Sequence, residues 1–316
     1  MTTPSPALCV GVLVADMFVP PLELLPAAGE LIATGDFLLQ PGGCAANTAI
    51  ALGKLGVRAA VCGRVGDDLL GDFVERNLRS REIDTSGVQR TEGYGTSKTV
   101  IISVAGEDRR YIHTFGANAA LTARDIEPAA LGAAEVLYVG GYLILPGMHE
   151  GELAERLREA RAGGTRIVLD VAVPVGQTVP IDAARTLLPL ADYFVPNVDE
   201  AYALTGESDP SRQAERFLEQ GANAVVIKLG ERGAYVRHGE DAFEIHAPPM
   251  EVVEPSGAGD AFAAGLIVGI LEGWELERSV RFASVIGGSA CTALGCCEGV
   301  FTRAQADAFL DAHPEF

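Results

Sequence analysis

The feature that most constrains this chain is a repeated alternation between short, wholly apolar runs and longer stretches of helical period. "LCVGVLVA" is followed by "AANTAIALGKLG", and "RAAVCG" by "LLGDFVERNLRSREI". The same rhythm returns as "AEVLYVGG", "HEGELAERLREARAGG", "TRIVLDVA", "IDAARTLLPLA", "DYFVPN", "DEAYALTG" and "NAVVIKLG". Strands with no polar face must be covered on both sides, and joining them through helices makes them parallel. The expected fold class is therefore α/β, a mainly parallel, doubly wound sheet between helical layers. Ligands bind at the carboxyl ends of such strands, which is where the 37 glycines concentrate.

Two stretches break the rhythm. Residues 30–40, "ELIATGDFLLQ", and 95–115, "GTSKTVIISVAGEDRRYIHTF", alternate polar and apolar side chains, and the second is divided by the turn-like "AGED". They are expected to form a small β-sheet lid, with strands within about 16–40 and 95–116, on a single domain spanning 1–316. The alternative is that they are edge strands of the main sheet.

Composition limits the partners. Lys and Arg total 24 against 43 acidic residues, a formal charge of -19, which opposes broad contact with nucleic acid or an anionic membrane. A small-molecule partner is expected. The apolar N-terminal run "ALCVGVLVAD" has no preceding Lys or Arg, ends in Asp16 and is too short to span a bilayer. It reads as a buried first strand, and the protein as cytoplasmic. The six cysteines contain no C-x-x-C pair and mostly sit in apolar stretches, so they read as buried free thiols, with no structural zinc.

The chemistry concentrates in "EPSGAGDAFAAGLIVGIL", residues 254–271. Phe262, Leu266, Ile267 and Ile270 follow helical spacing with little polar surface, which makes this helix central and its start buried. A buried helix start edged by Gly257, Ala258 and Gly259 can present N-H groups to an anion. Asp260 then stands beside an anion site. A turn with a capping carboxylate is one explanation. A dinucleotide fingerprint is another, although Phe262 stands where its third small residue belongs. Phosphoryl transfer is the third, with the N-H groups holding developing charge and Asp260 taking the proton of the attacking hydroxyl, and it alone explains the carboxylate. The chain has no Walker loop, so nucleotide phosphates would be held by other means.

These residues resemble the PfkB or ribokinase-like carbohydrate kinases. "PSGAGDAFAAG" is similar to that family's C-terminal signature and "QPGGCAANTAIALGKLG" to its N-terminal one. "GRVGDDLLGDFV", "FGANAAL", "VPNVDEA" and "IKLGERGA" follow in the family's order, so the resemblance spans nearly the whole chain. It implies a ribokinase-like three-layer fold and an ATP-dependent kinase acting on a hydroxyl of a sugar or nucleoside. Asp260 would be the base, and Gly257, Ala258 and Gly259 the anion hole. Asp16, Gly42, Gly43, Asn47 and Asn118 would face the acceptor. Asn197, Glu200, Lys228, Gly230, Gly233 and Ser284 would face ATP, with Glu200 acting on Mg2+ through water. Asp67 and Asp68 read instead as a helix cap.

The resemblance also implies a monovalent cation site, but Glu254 and Pro255 replace the usual Asp-Thr, so K+ activation is in question. Gly141 stands where ribokinases carry an acidic sugar contact, which weakens a ribose assignment. Of the cations near the lid, Lys98, Arg109 and Arg110 stand out, too few for a phosphorylated acceptor, so a neutral one is expected. A homodimer through the lid is a further expectation. A dinucleotide-dependent oxidoreductase and a non-catalytic sugar- or nucleotide-binding regulator remain the rival readings. No role follows from the sequence for Tyr142, His113 or the Cys296 and Cys297 pair.

Overall fold

The computed structural model describes residues 5–107, 109–174, 176–314 and 316. In chain order the strands are β1 (Ala7–Gly11), β2 (Val14–Leu22), β3 (Leu38–Gly42), β4 (Ala59–Gly66), β5 (Asp84–Thr91), β6 (Lys98–Val104) and β7 (Arg110–Thr114). They continue as β8 (Val136–Gly140), β9 (Arg166–Leu169), β10 (Tyr193–Phe194), β11 (Ala224–Lys228), β12 (Ala234–His238) and β13 (Asp241–Ile245). The helices are α1 (Cys44–Lys54), α2 (Leu69–Ser80), α3 (Pro128–Ala133), α4 (Glu150–Ala162), α5 (Val198–Thr205), α6 (Pro210–Glu219), α7 (Ala258–Leu271), α8 (Leu276–Ala290) and α9 (Arg303–Ala312).

Among the described residues nine strands make the main sheet, in the order β13-β12-β11-β10-β9-β8-β1-β4-β5. All neighbours are parallel except β11 with β12 and β12 with β13, which are antiparallel. Alternation along each strand explains the two helical layers. Ala7 and Cys9 of β1, Val136 and Tyr138 of β8 and Val226 of β11 pack into one core with α1, α7 and α8. Leu8 and Val10, Leu137 and Val139, and Val225 and Ile227 pack into the other with α4 and α6. The order reverses beside β1, which lies between β4 and β8, and such a reversal opens a crevice at the strands' carboxyl ends.

The lid is a separate four-stranded sheet, β3-β2-β6-β7. Its register ties every strand to the body at one end: Val14 faces Gly42, Ala15 faces Lys98, and Lys98 faces Thr114. Two expectations are corrected here. The run "ALCVGVLVAD" is not one strand, because β1 stops at Gly11 and, after Val12 and Leu13, the chain enters the lid as β2. Asp16 therefore belongs to the lid rather than to the end of the first strand. Residues 30–37 are irregular, and only Leu38–Gly42 pairs, since β2 offers a partner there. Asp108, the last residue of the expected "AGED" turn, lies outside the described residues. "IDAARTLLPLA" forms two 3-10 turns, Ile181–Ala184 and Leu188–Leu190, with a proline in the second. No helix among the described residues is long and apolar enough to cross a membrane.

Candidate active site

Two helices begin at the crevice, α1 and α7, and both start from a glycine in a backbone region that disfavours other residues. Gly43 caps α1 at φ 89° and Gly257 caps α7 at φ 80°, neither helix with a side-chain cap. By contrast α2 is capped by Asp68, α5 by Asn197, α6 by Asp209 and α9 by Thr302. Like α3, α4 and α8, the two starts at the crevice leave first-turn N-H groups without a side-chain acceptor. In α7 the Ala258 N-H turns back to Pro255 O at 3.3 Å, a long bond, while the N-H groups of Gly259 and Asp260 have no carbonyl one turn earlier in the helix. With the helix dipole behind them, these free N-H groups are of the kind that can receive an anion.

Asp260 is partly exposed at this turn. Asn47 of α1 donates from Nδ2 to its Oδ2 at 2.8 Å, and Thr48 Oγ1 donates to its main-chain oxygen at 3.3 Å. Burial pushes its carboxyl up to about 6, with the Asn47 bond opposing and nearby Asp170 adding to the rise. Asn47 was expected to meet acceptor hydroxyls; here its amide orients Asp260 and accepts from the Cys297 thiol at 3.5 Å, which leaves one N-H of Nδ2.

Asp16 reaches the crevice from β2, its carboxylate buried and accepting from the Cys296 thiol at 3.7 Å. Burial raises it to about 6, while Thr99 and Cys296 hydrogen bonds pull it down. Gly42, on the neighbouring strand, makes this position available: a Cβ there would lie 1.8 Å from Asp16 Oδ2. The pairing also sets Asp16 beside Gln40 and Thr99, and Thr99 beside His113, in one row across the lid. Thr99 Oγ1 and His113 Nδ1 are 3.1 Å apart, and burial lowers the His113 pKa, favouring neutral imidazole. Thr99 and His113 were not assigned to the site from sequence; the cross-strand register is what exposes them.

Asn118 is corrected. It is fully buried, its Oδ1 accepts from Leu13 N at 3.1 Å and its Nδ2 donates to Leu13 O at 2.9 Å. The amide staples the passage from β1 to the lid instead of facing the acceptor.

On the other side of α7, Lys228 ends β11 and its ammonium lies 2.8 Å from Asp170 Oδ2, both side chains buried. Burial opposes the charge on Lys228, but Asp170 and Glu200 outweigh it and hold the lysine protonated. Asp170, which follows β9, was not picked out from sequence; its signal was an acid closing the apolar run "TRIVLDVA". Glu200 and Asn197 form a capping box, Asn197 N donating to Glu200 Oε2 at 2.8 Å and Glu200 N to Asn197 Oδ1 at 2.8 Å. Burial lifts Glu200 to about 7, with Lys228 pulling it down. Asn197 also bridges β11 beside Lys228. Gly230 and Gly233 form the turn that leads from β11 into β12. Ser284 sits within α8 with its Oγ buried and without a hydrogen-bond partner, so a donor or acceptor is wanted there. Gly288, one turn on, faces Pro248 and Met250, which places Ser284 on the side of α8 nearest that loop.

The residues fit ATP and Mg2+ through their charge. Asp170, Glu200 and Asp260 gather around Lys228, and an ion carried by phosphates and water would offset their charge. A monovalent cation fits less well. Glu254 is buried, its Oε1 accepts from Ser256 N and Oγ at 3.0 and 2.7 Å, and Arg109 Nε lies 3.3 Å away. The expected cation ligand is already ion-paired to a guanidinium. Gly141 follows β8 next to the Cys44 thiol, so no acid stands there.

Residues 6–303 match the pfkB family carbohydrate kinase profile. A 2-dehydro-3-deoxygluconokinase of Bacillus subtilis (strain 168) is 31% identical over 296 residues, with 90% of each chain covered. A 5-dehydro-2-deoxygluconokinase of Clostridium perfringens (strain 13 / Type A) is 26% identical over 287 residues, 87% of this chain and 85% of that one. The Arabidopsis thaliana ribokinase solved with ribose and ATP has a TM-score of 0.82 at 24% identity, over 97% of this chain and 99% of that one.

Proposed function

Because the chain belongs to the pfkB family of carbohydrate kinases, we propose that it moves the γ-phosphoryl group of ATP to a hydroxyl of a small sugar-type acceptor, with Asp260 as the base. The observation that carries this reading is the Asp260 carboxylate at an uncapped helix start, oriented by Asn47 and raised to about 6. A carboxylate there is deprotonated at neutral pH yet basic enough to take a hydroxyl proton.

The acceptor lies between the lid row and Asp260. Asp16 accepts bonds from its hydroxyls, as two carboxylate oxygens can, and Asn47 keeps Asp260 aimed at the reacting one. The N-H groups of Gly259 and Asp260 face the transferred phosphoryl group and stabilise the charge that gathers on its oxygens. Mg2+ would be held by ATP phosphates and, through water, by Glu200, where it neutralises phosphate charge. Lys228, fixed by Asp170, adds positive charge beside Gly259, and Ser284 Oγ offers a hydrogen bond to the nucleotide. The oxidoreductase reading loses its footing, because α7 follows a loop and runs into α8 instead of forming a β-α-β unit.

The named relatives act on dehydro-deoxygluconates, so those sugar acids belong in the test beside neutral sugars. ADP release should be measured with ATP and Mg2+ against 2-dehydro-3-deoxygluconate, 5-dehydro-2-deoxygluconate, ribose, fructose, nucleosides and fructose 6-phosphate. One non-phosphorylated sugar or sugar acid should stand out. Uniform absence of turnover defeats the reading, and a preference for fructose 6-phosphate defeats the placement of Asp16. We also read the lid as a homodimer face, since Phe37 and Ile112 are more than half exposed at 52% and 64%. Light scattering on the purified chain tests it, and a monomer at all concentrations refutes it.

A further inference from the structure

The loop entering the anion turn carries an acid that phosphoryl transfer does not use. Glu254 is 3% exposed, and Ser256 folds back on it through both N and Oγ. Its counter-charge comes from another part of the fold. Arg109 immediately precedes β7, the outermost lid strand, and its Nε lies 3.3 Å from Glu254 Oε1. The same Nε donates to Tyr111 OH, and that hydroxyl lies 3.3 Å from Ser256 Oγ. Two lid side chains and two loop side chains therefore close a ring, and the loop side of it stands one residue before Gly257.

We propose that Arg109 is a positioning residue: the lid's guanidinium is the built-in counter-ion of Glu254, and it sets the anion turn while the lid lies against it. A buried carboxylate stripped of its cation is strongly unfavourable, so the 254–256 segment keeps this conformation only with Arg109 in place. The lid thereby reports its position to the N-H groups that hold the transferred phosphoryl group. A fixed guanidinium also removes the need for a dissolved monovalent cation at Glu254. The catalytic part of this proposal rests on the kinase reading; the ion pair and its structural effect do not.

Arg109→Ala, Arg109→Lys and the double change Arg109→Ala with Glu254→Gln separate the two. Thermal unfolding needs no activity: the parental chain should melt alike in Na+, K+ and choline at equal ionic strength. Arg109→Ala should melt lower, and the double variant should recover most of the loss because no charge is left stranded. In the phosphoryl-transfer assay Arg109→Ala should lose about 10- to 100-fold in kcat, the scale of a misplaced reacting group, with the KM for ATP nearly unchanged. Arg109→Lys, or methylguanidinium added to the alanine variant, should restore part of it. Parental melting and kcat in Arg109→Ala overturn the proposal, as does a parental enzyme strongly stabilised or activated by K+ over choline. If no acceptor is phosphorylated the kinase reading fails, and the melting series still decides the role of Arg109.

Discussion

Two pairs of carboxylates line the same crevice and are held in opposite ways. Asp170 and Glu200 stand around an ammonium, with Lys228 at 2.8 Å from the first and a capping box locking the second. Asp16 and Asp260 take their side-chain hydrogen bonds from neutral donors, an amide at 2.8 Å for Asp260 and a threonine hydroxyl and a thiol for Asp16. Asp170, paired with that fixed cation, is a structural fixture, whereas Glu200 accepts only a backbone N-H and is lifted by burial to about 7. An acid held by neutral donors keeps its orientation and still accepts a proton near neutrality, which is what a base requires.

The largest effect should come from breaking the neutral side. Asp260→Asn keeps size and removes proton acceptance, so kcat should fall by about 10^2 to 10^4 while ATP affinity, measured by calorimetry, stays close to parental. A folded variant with parental turnover would make Asp260 a mere first-turn acid. On the charged side Lys228→Met should act on stability first, costing about 3 to 5 kcal/mol by stranding Asp170 in the interior. Denaturant unfolding measures it, and adding Asp170→Leu should return most of the loss. If Lys228→Met is as stable as the parent, Asp170 is not an obligate partner.

The pH dependence sharpens the contrast. Asp16 and Asp260 sit at about 6 and Glu200 at about 7 when folded, above ordinary values of 3.8, 3.8 and 4.5. Folding thus favours their protonated forms, and their contribution to stability is largest below the ordinary range and lost as pH rises through 6 to 7. Activity should move the other way, kcat/KM rising with an apparent pKa near 6 as Asp260 deprotonates. Melting temperatures and rates over the same pH series should therefore cross. A flat rate profile through 6 would mean that Asp260 carries no proton in the reaction. The smallest effect is expected for Cys296→Ala, which removes a thiol donor from Asp16: the acceptor KM should rise roughly twofold, the low end for a neutral hydrogen bond. No change would leave the thiol as packing.

The sequence made the main sheet and α7 legible because both announce themselves locally, the strands by wholly apolar runs and the helix start by Gly257 to Asp260. What it hid depends on register or on distant partners. Asp16 could be singled out, but its place in the lid follows from the break at Val12 and Leu13, inside a run that stays apolar. Thr99 and His113 enter the site only because β6 and β7 align them with Asp16. Asn118 looks like a ligand in sequence and is consumed by the main chain of Leu13, over a hundred residues away. Arg109 and Glu254 meet from far apart in the sequence, and no spacing foretells that.

The attachment of the lid has a mechanical consequence. All four strands are rooted at one end, where Asn118 clamps Leu13, so the sheet is a cantilever. Asp16 lies three residues from the clamp and Leu22 nine, roughly 10 and 30 Å along an extended strand. Any deflection grows with distance from the support. Asp16 would therefore move least in any such deflection, and the far rim, Arg109 included, the most. Substrate would be gripped at the fulcrum, and closure would be sensed at the tip.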